Sequence, residues 1–176
     1  MAVGAGCKAP VPAKGTGDGL MRPRDGRLDA SPRGGEPGFV PVVDETTLWI
    51  PDAPGNNRLD SFANIVETGR VGMLFLIPGI DETLRVNGRA HLSTDPDKRE
   101  QLATPRWTPK VVVVVSVEEA FLHCPKALMR SKLWADESRQ DRSVLPSLGQ
   151  MLKDQTGSPE PAETQEKMLA RYKPGL

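Results

Sequence analysis

The chain has 176 residues and a mass of 19.1 kDa, which is enough for one domain with its own hydrophobic core. Its 23 basic and 23 acidic side chains cancel, and this balance argues against a broad electrostatic affinity for nucleic acid or an anionic membrane. The 17 glycines and 17 prolines favour many turns over a bundle of long helices.

The two cysteines, Cys7 and Cys124, lie far apart and belong to no C-x-x-C pair. Neither a disulfide framework nor a zinc site is therefore predicted, and the chain suits a reducing cytoplasm. The most apolar segments, residues 71–77 and 111–115, are shorter than the roughly 18 residues that a membrane span needs. We expect a cytoplasmic protein with no metal site, no nucleic-acid partner and no membrane partner.

The first predicted elements follow a segment without a regular pattern. Residues 1–24 are rich in glycine and proline and show no strand or helix period, so we expect them to be disordered or atypical. Phe39–Val43 and Thr46–Ile50 are rich in β-branched and aromatic residues and flank the polar pair Asp44-Glu45. This pattern predicts a β-hairpin with a polar turn.

A short helix is predicted next, over residues 58–66. Leu59, Phe62, Ile65 and Val66 recur at helical spacing and form one apolar stripe. Asn57 is placed to cap the first turn of this helix.

Three further strands complete the predicted sheet. Residues 71–77 form an apolar run, residues 83–92 alternate between apolar and polar side chains, and residues 110–117 contain five consecutive valines. Short helices are predicted over residues 124–134, 145–152 and 162–172. The order of elements predicts an all-β fold with peripheral helices, either an antiparallel barrel or a sandwich.

The familiar catalytic motifs are absent from this sequence. It contains no phosphate-binding loop, no dinucleotide fingerprint and no nucleophile-and-base pattern. We interpret His123 and Cys124 as a half-buried pair at a strand end rather than a redox or metal site. Glu118 and Glu119 are predicted to be solvated surface, and no catalytic residue is identified.

Basic and amide side chains mark the ends of the predicted elements. Arg33 and Arg58 follow turns, while Arg85 and Arg89 lie on one face of a strand. A helix N-terminus beside an arginine can bind a phosphate through its free N–H groups. The alternative is that these arginines are simply exposed, and their spacing leaves both interpretations open.

Four blocks of sequence occur in the following order: DGRLDASPRGGEPGFV (25–40), IPDAPGNNRLDSFANI (50–65), RVGMLFLIPGIDETLRVNGRAHLSTD (70–95) and HCPKALMRSKLW (123–134). They resemble the pyridoxamine 5'-phosphate oxidase-like family of FMN-binding split β-barrels, and most closely its flavin-nucleotide-binding branch. The resemblance implies an antiparallel split β-barrel of the FMN-binding type over residues 25–153, followed by a polar tail or helix over residues 154–176. It also implies a homodimer with FMN at the subunit interface.

The resemblance further implies which residues contact FMN. The phosphate would be held at the turn before the first helix, by Asn56, Asn57, Arg58 and Ser61. A preceding strand end would contact both phosphate and flavin, through Ser31, Pro32 and Arg33.

Other contacts implied by the resemblance concern the flavin ring. Ile50 and Pro51 would line the ring or the ribityl chain, and Thr83 would hydrogen-bond the isoalloxazine. One face of the helix over residues 124–134 would reach the partner's flavin or the substrate, through Lys126, Arg130 and Trp134. The alternative for this face is a surface lysine and arginine with a packing tryptophan.

Two departures from the family pattern limit what the resemblance implies. The family's substrate-closing C-terminal segment with tryptophan and arginine has no counterpart in residues 154–176, which disfavours pyridoxamine phosphate as substrate. Relatives carry a first strand before residue 25, whereas no strand is predicted in residues 1–24, so we expect an open barrel edge.

These observations predict an FMN-dependent oxidoreductase acting on a small organic substrate. The cofactor performs the electron transfer in such proteins, so no side-chain acid or base is required. The alternative is a flavin- or haem-binding module that stores or senses its ligand without turnover. A third hypothesis is a member that does not fold because its first strand is missing.

Overall fold

The computed structural model describes Val3–Ala5 and residues 29–173. Within them, seven strands form one antiparallel sheet in the order β2-β1-β5-β6-β7-β4-β3. The strands are β1 (Val3–Ala5), β2 (Ser31–Arg33), β3 (Val42–Asp44), β4 (Thr47–Pro51), β5 (Arg70–Ile77), β6 (Ile80–Ser93) and β7 (Val112–His123). The helices are α1 (Asp60–Thr68), α2 (Pro96–Gln101), α3 (Lys126–Ser131), α4 (Leu148–Thr156) and α5 (Gln165–Tyr172). The prediction of an antiparallel all-β fold with additional helices is confirmed.

The sheet curls so that its two sides approach each other. Arg33 in β2 lies near one edge, yet its Nη1 is 3.7 Å from Oδ1 of Asp52, which directly follows β4 on the other side. This curvature is what a split barrel requires, because a flat sheet would hold β2 and β4 several strands apart.

The core fills the inner face of the curled sheet under α1. It contains Leu48, Ile50, Phe62, Ile65, Val71, Met73, Val86, Ala90, Val113 and Val115. The predicted apolar stripe of α1 is only half right. Phe62 and Ile65 are buried, but Leu59 and Val66 are 59% and 73% exposed, because they flank the buried face instead of facing the sheet.

The expectation that residues 1–24 contain no strand is wrong. Val3–Ala5 form β1, which pairs with β2 on one side and with β5 on the other. On the β5 side, β1 pairs only with Leu74 and Phe75, so most of this edge of β5 has no partner among the described strands. The disorder predicted for the rest of residues 1–24 lies outside the described residues.

The chain divides into two compact units, residues 1–134 and 135–176. The sheet, α1, α2 and α3 belong to the first unit, whereas the predicted domain continues to residue 153. In the second unit, Ser147 caps α4 by accepting the N–H of Gln150 at 3.2 Å. Arg171 of α5 pairs with Glu163 at 2.7 Å, and the predicted helices over residues 145–152 and 162–172 are confirmed, with shifted ends.

Candidate functional site

The turn before α1 differs from its prediction. Asn57 adopts a left-handed backbone with φ of 58° and does not cap the helix, so the predicted Asn57 cap is wrong. Asn56 closes the turn instead, since its Oδ1 accepts the N–H of Arg58 at 3.0 Å. Leu59 occupies the cap position and has no capping side chain. The first-turn N–H groups of α1 therefore lack a side-chain cap from this position.

Arg33 brings β2, β4 and α1 together. Its guanidinium carbon lies 5.4 Å from the centre of the Phe62 ring, and its side chain is only 20% exposed. Burial raises the pKa of Asp52, and the neighbouring Arg33 guanidinium opposes this effect. Packing against Phe62 therefore restrains the Arg33 side chain, and the carboxylate of Asp52 orients its guanidinium.

Ser61 is the buried member of the residues predicted at α1. Its hydroxyl donates a hydrogen bond to the carboxylate of Asp29. Arg58, in contrast, is 75% exposed and its Nη2 lies 2.7 Å from Oδ2 of Asp60. Asn56 and Asn57 are also exposed. The structure thus buries Ser61 in α1, places the half-buried Arg33 of β2 against Phe62 of the same helix, and leaves Asn56, Asn57 and Arg58 exposed.

Ile50 and Pro51, predicted to line the ring or ribityl chain, are both buried. The side chain of Ile50 belongs to the hydrophobic core. Pro51 ends β4, paired with Val112, and the next residue, Asp52, donates its N–H to the carbonyl of Val111 at 3.0 Å. Of the strand-end residues in β2, Ser31 is half-buried and Pro32 is exposed.

A cavity of about 940 Å³ lies on the outer face of β5, β6 and β7. Apolar lining comes from Leu74, Leu76, Ala127 and Leu128, and polar lining comes from Asp29, Arg70, Thr83, Arg85, Asn87, Glu118, Glu119 and His123. Asp29 is notable because it lines this cavity and also accepts the hydroxyl of Ser61. The cavity therefore adjoins the start of α1.

Thr83 is the predicted site residue that lines the cavity. The helical face of Lys126, Arg130 and Trp134 does not form, because Lys132 adopts a left-handed backbone and ends α3. Lys126 and Arg130 are exposed, while Nε1 of Trp134 donates to the carbonyl of Ile80 at 2.9 Å. This contact with Ile80 supports the alternative interpretation, in which Trp134 packs against the rest of the fold.

An ion-pair network occupies one end of the cavity. Glu118 accepts from Arg70 at 2.9 Å and from Arg89 at 3.0 Å, and Glu119 accepts from Asn87 at 3.1 Å. The hydrogen bond from Arg89, helped by Arg70, holds the pKa of Glu118 below its usual range. Glu118 and Glu119 are exposed, as predicted, but they also line the cavity, so solvated surface alone does not describe them.

His123 and Cys124 also differ from their prediction. Both are exposed and line the cavity, whereas the sequence predicted a half-buried pair in the core. Their position follows from the length of β7, which continues to His123, well past the valine run. Thr83 in β6 pairs with His123 in β7. The position of His123 depends on this pairing, which the local sequence does not indicate.

The described part of the chain has no group of three or more histidine, cysteine or acidic side chains arranged to hold a metal ion. None of the helices within residues 29–173 reaches the length and hydropathy that a bilayer span requires.

The sequence profile described as pyridoxamine 5'-phosphate oxidase matches residues 22–124, which is more than half of the chain. The chain belongs to the pyridoxamine 5'-phosphate oxidase-like family. The matched segment includes β2 to β7 and α1, and so contains the residues around Arg33 and most of the cavity. The resemblance to this family is therefore confirmed, and the first three of the four sequence blocks lie within the matched segment.

Two solved structures share the fold of this family member. They are HupZ of Group A Streptococcus and a variant of it in which one histidine is replaced by alanine. Both are 14% identical to this chain with a TM-score of 0.50, and they cover 69% of it. The alignment covers 83% of HupZ and 89% of the variant. Among curated protein sequences, none matches this chain.

Proposed function

We propose that this protein binds FMN and acts in the cytoplasm as a flavin-dependent oxidoreductase on a small organic substrate. The observation that carries the proposal is the family match over residues 22–124, because it spans both the start of α1 and the adjoining cavity. When bound, FMN supplies the electron-transfer chemistry, and the protein supplies binding, orientation and exclusion of water.

The donor chemistry at the start of α1 fits a phosphate monoester. Arg33 offers a half-buried guanidinium, Ser61 a buried hydroxyl, and α1 a first turn without a side-chain cap. Asp52 and Asp29 are the present acceptors for these two side chains, so a phosphate would replace them as acceptor. Asp29 then marks where the phosphate end would meet the cavity that receives the ring.

Apolar exposure around the cavity supports a dimeric site. Phe121 and Leu122 at the end of β7 are 42% and 74% exposed, and Met129 in α3 is 58% exposed. A second copy of the chain would cover such side chains, and a cofactor between two subunits would be shielded from water on both sides.

The test is the visible spectrum of the purified protein before and after reconstitution with FMN, with the dissociation constant measured by equilibrium dialysis. We expect the absorbance band of an oxidised flavin. Arg33→Gln should weaken FMN binding by about 1.5–3 kcal/mol, the usual cost of losing a charged hydrogen bond.

Arg58→Gln is the matched control, because Arg58 is exposed and already paired with Asp60, and its effect should be smaller. Absence of flavin absorbance after reconstitution would refute the proposal. Equal losses of FMN affinity in both variants would contradict the assignment of the phosphate to Arg33.

The alternative, a module that binds flavin or haem without turnover, is favoured by one observation. His123 is exposed and lines the cavity, and imidazole is a common axial ligand of haem iron. The same spectrum separates haem from flavin, since a haem complex would show a Soret band and a flavin would not. A flavin module without turnover is separated from an oxidoreductase by steady NAD(P)H consumption with an electron acceptor, which only the oxidoreductase would show.

A further inference from the structure

The charged side chains that line the cavity differ in whether they already have a partner. Glu118 is shared by Arg70 and Arg89, and Glu119 is held by Asn87. The remaining lining carboxylate, Asp29, accepts the hydroxyl of Ser61, outside the polar end formed by this network.

Arg85 is different from these. Among the described residues, no hydrogen bond or ion pair engages its guanidinium. Its carbon lies 5.3 Å from the centre of the Phe121 ring, so the side chain is stacked rather than neutralised. Stacking fixes the direction of the guanidinium while leaving its five N–H donors available.

The surroundings of Arg85 are apolar. Its cross-strand neighbours are Leu74 in β5 and Phe121 in β7, and Leu76 and Leu128 line the same cavity. A ligand held here would therefore place one anionic group on Arg85 and an apolar body against leucine and aromatic side chains. This combination of one charged anchor and an apolar wall is typical of small-molecule sites.

The charge of the cavity restricts the anion further. Arg70 and Arg89 neutralise Glu118, whereas Asp29 and Glu119 are held only by neutral hydrogen-bond donors, so these two carboxylates oppose a dianion more than a monoanion. A carboxylate, with one charge and two oxygens, matches the fork of a guanidinium. The predicted phosphate donors Arg33, Asn56, Asn57, Arg58 and Ser61 are not among the cavity-lining residues, so Arg85 is separate from them.

We propose that Arg85 binds the carboxylate of the substrate, and that the substrate class is a small apolar or aromatic carboxylic acid. The inference that this carboxylic acid is a substrate rests on the proposed function, but the carboxylate site itself is independent of FMN.

The experiment is isothermal titration of the protein, with and without FMN, with benzoate and with its neutral analogue benzamide. We expect benzoate to bind more tightly than benzamide. Arg85→Gln should raise the benzoate dissociation constant about tenfold or more and leave that of benzamide unchanged. Arg85→Lys, which keeps the charge but loses the fork, should have an intermediate effect.

Arg89→Gln is the matched control, since Arg89 lies on the same strand but is paired with Glu118 and does not line this cavity. It should leave benzoate binding unchanged. The FMN dissociation constant is measured on each variant, and Arg85→Gln should not alter it.

Several results would overturn the inference. These are no benzoate binding to the wild type, equal affinity for benzoate and benzamide, or unchanged benzoate binding in Arg85→Gln. A parallel loss of FMN affinity in Arg85→Gln would also overturn it, because Arg85 would then belong to the cofactor site. If the wild type binds no FMN, the proposed function fails, while benzoate titration of the FMN-free protein still decides the role of Arg85.

Discussion

The two halves of β7 belong to one continuous strand but have different environments. Val112, Val113, Val114 and Val115 are all buried, so both faces of the first half are covered. This half is paired on both sides, by β4 and by β6. The second half, from Glu119 to His123, pairs only with β6 among the described strands, and its side chains are exposed.

A β-bulge separates the halves. Gly88 pairs with Val117 and Asn87 pairs with Glu119, which leaves Glu118 as the extra residue on β7. The bulge residue binds both Arg70 and Arg89, and the strand beyond it lines the cavity. One strand therefore supplies stability before the bulge and a binding surface after it.

The largest expected effect comes from placing an aspartate in the first half of β7, and an aspartate in the second half is the comparison. Val115→Asp places an unpaired carboxylate in the core and should cost about 4 kcal/mol or more, enough to abolish cooperative folding in many domains of this size. Ala120→Asp, at an exposed position of the same strand beyond the bulge, should change stability by about 0.5 kcal/mol or less. Urea denaturation measures both. Similar losses in the two variants would contradict the division of β7.

The bulge itself is tested by Gly88→Ala. A Cβ at Gly88 would lie well inside van der Waals contact with the backbone carbonyl of Ser116, and backbone cannot yield as a side chain can. We expect a loss of about 1–3 kcal/mol in the free energy of unfolding. The control is Gly34→Ala, where a Cβ meets no atom within 4 Å. If Gly88→Ala behaved like this control, the close approach at the bulge would be absent.

The smallest effect concerns Glu118 and its pH dependence. Because the arginines lower the pKa of Glu118, its ionised form stabilises the fold at pH values above the usual pKa of a glutamate. This contribution is lost as the pH falls through the lowered pKa. The stability difference between wild type and Glu118→Gln should thus be positive at neutral pH and vanish in acid.

Thermal unfolding across that pH range, at low and high salt, provides the measurement. The side chains are exposed, so the difference should be small and should shrink with added salt. A difference independent of both pH and salt would mean that Glu118 acts through the shape of the bulge instead.

The sequence predicts what local pattern determines. Five valines identify the first half of β7, and the apolar spacing identifies the buried residues Phe62 and Ile65 of α1. The extension of β7 to His123 was not predictable in this way, because it depends on pairing with a long β6 rather than on the local residues. The exposure of His123 and Cys124 follows from the same pairing.

The candidate site was only partly predictable for a related reason. Arg33 and Ser61 were identified by resemblance, but their acceptors Asp52 and Asp29 were not, since each contact joins residues distant in the chain. The cavity escaped prediction because its polar lining comes from three strands brought into register. α3 ends at Lys132 because this residue adopts a left-handed backbone. Lysine rarely adopts this conformation, and the glycine that usually marks such a helix end is not present at this position.

The short β1 has a consequence for motion. Within the described residues, β2 pairs only with β1, and the pairing comprises three residues on each strand. So few backbone hydrogen bonds give a low free energy of local opening. The amide N–H groups of Ser31 and Arg33 should therefore exchange with solvent sooner than those of β7, and the half-buried guanidinium of Arg33 is carried on a readily opened edge of the sheet.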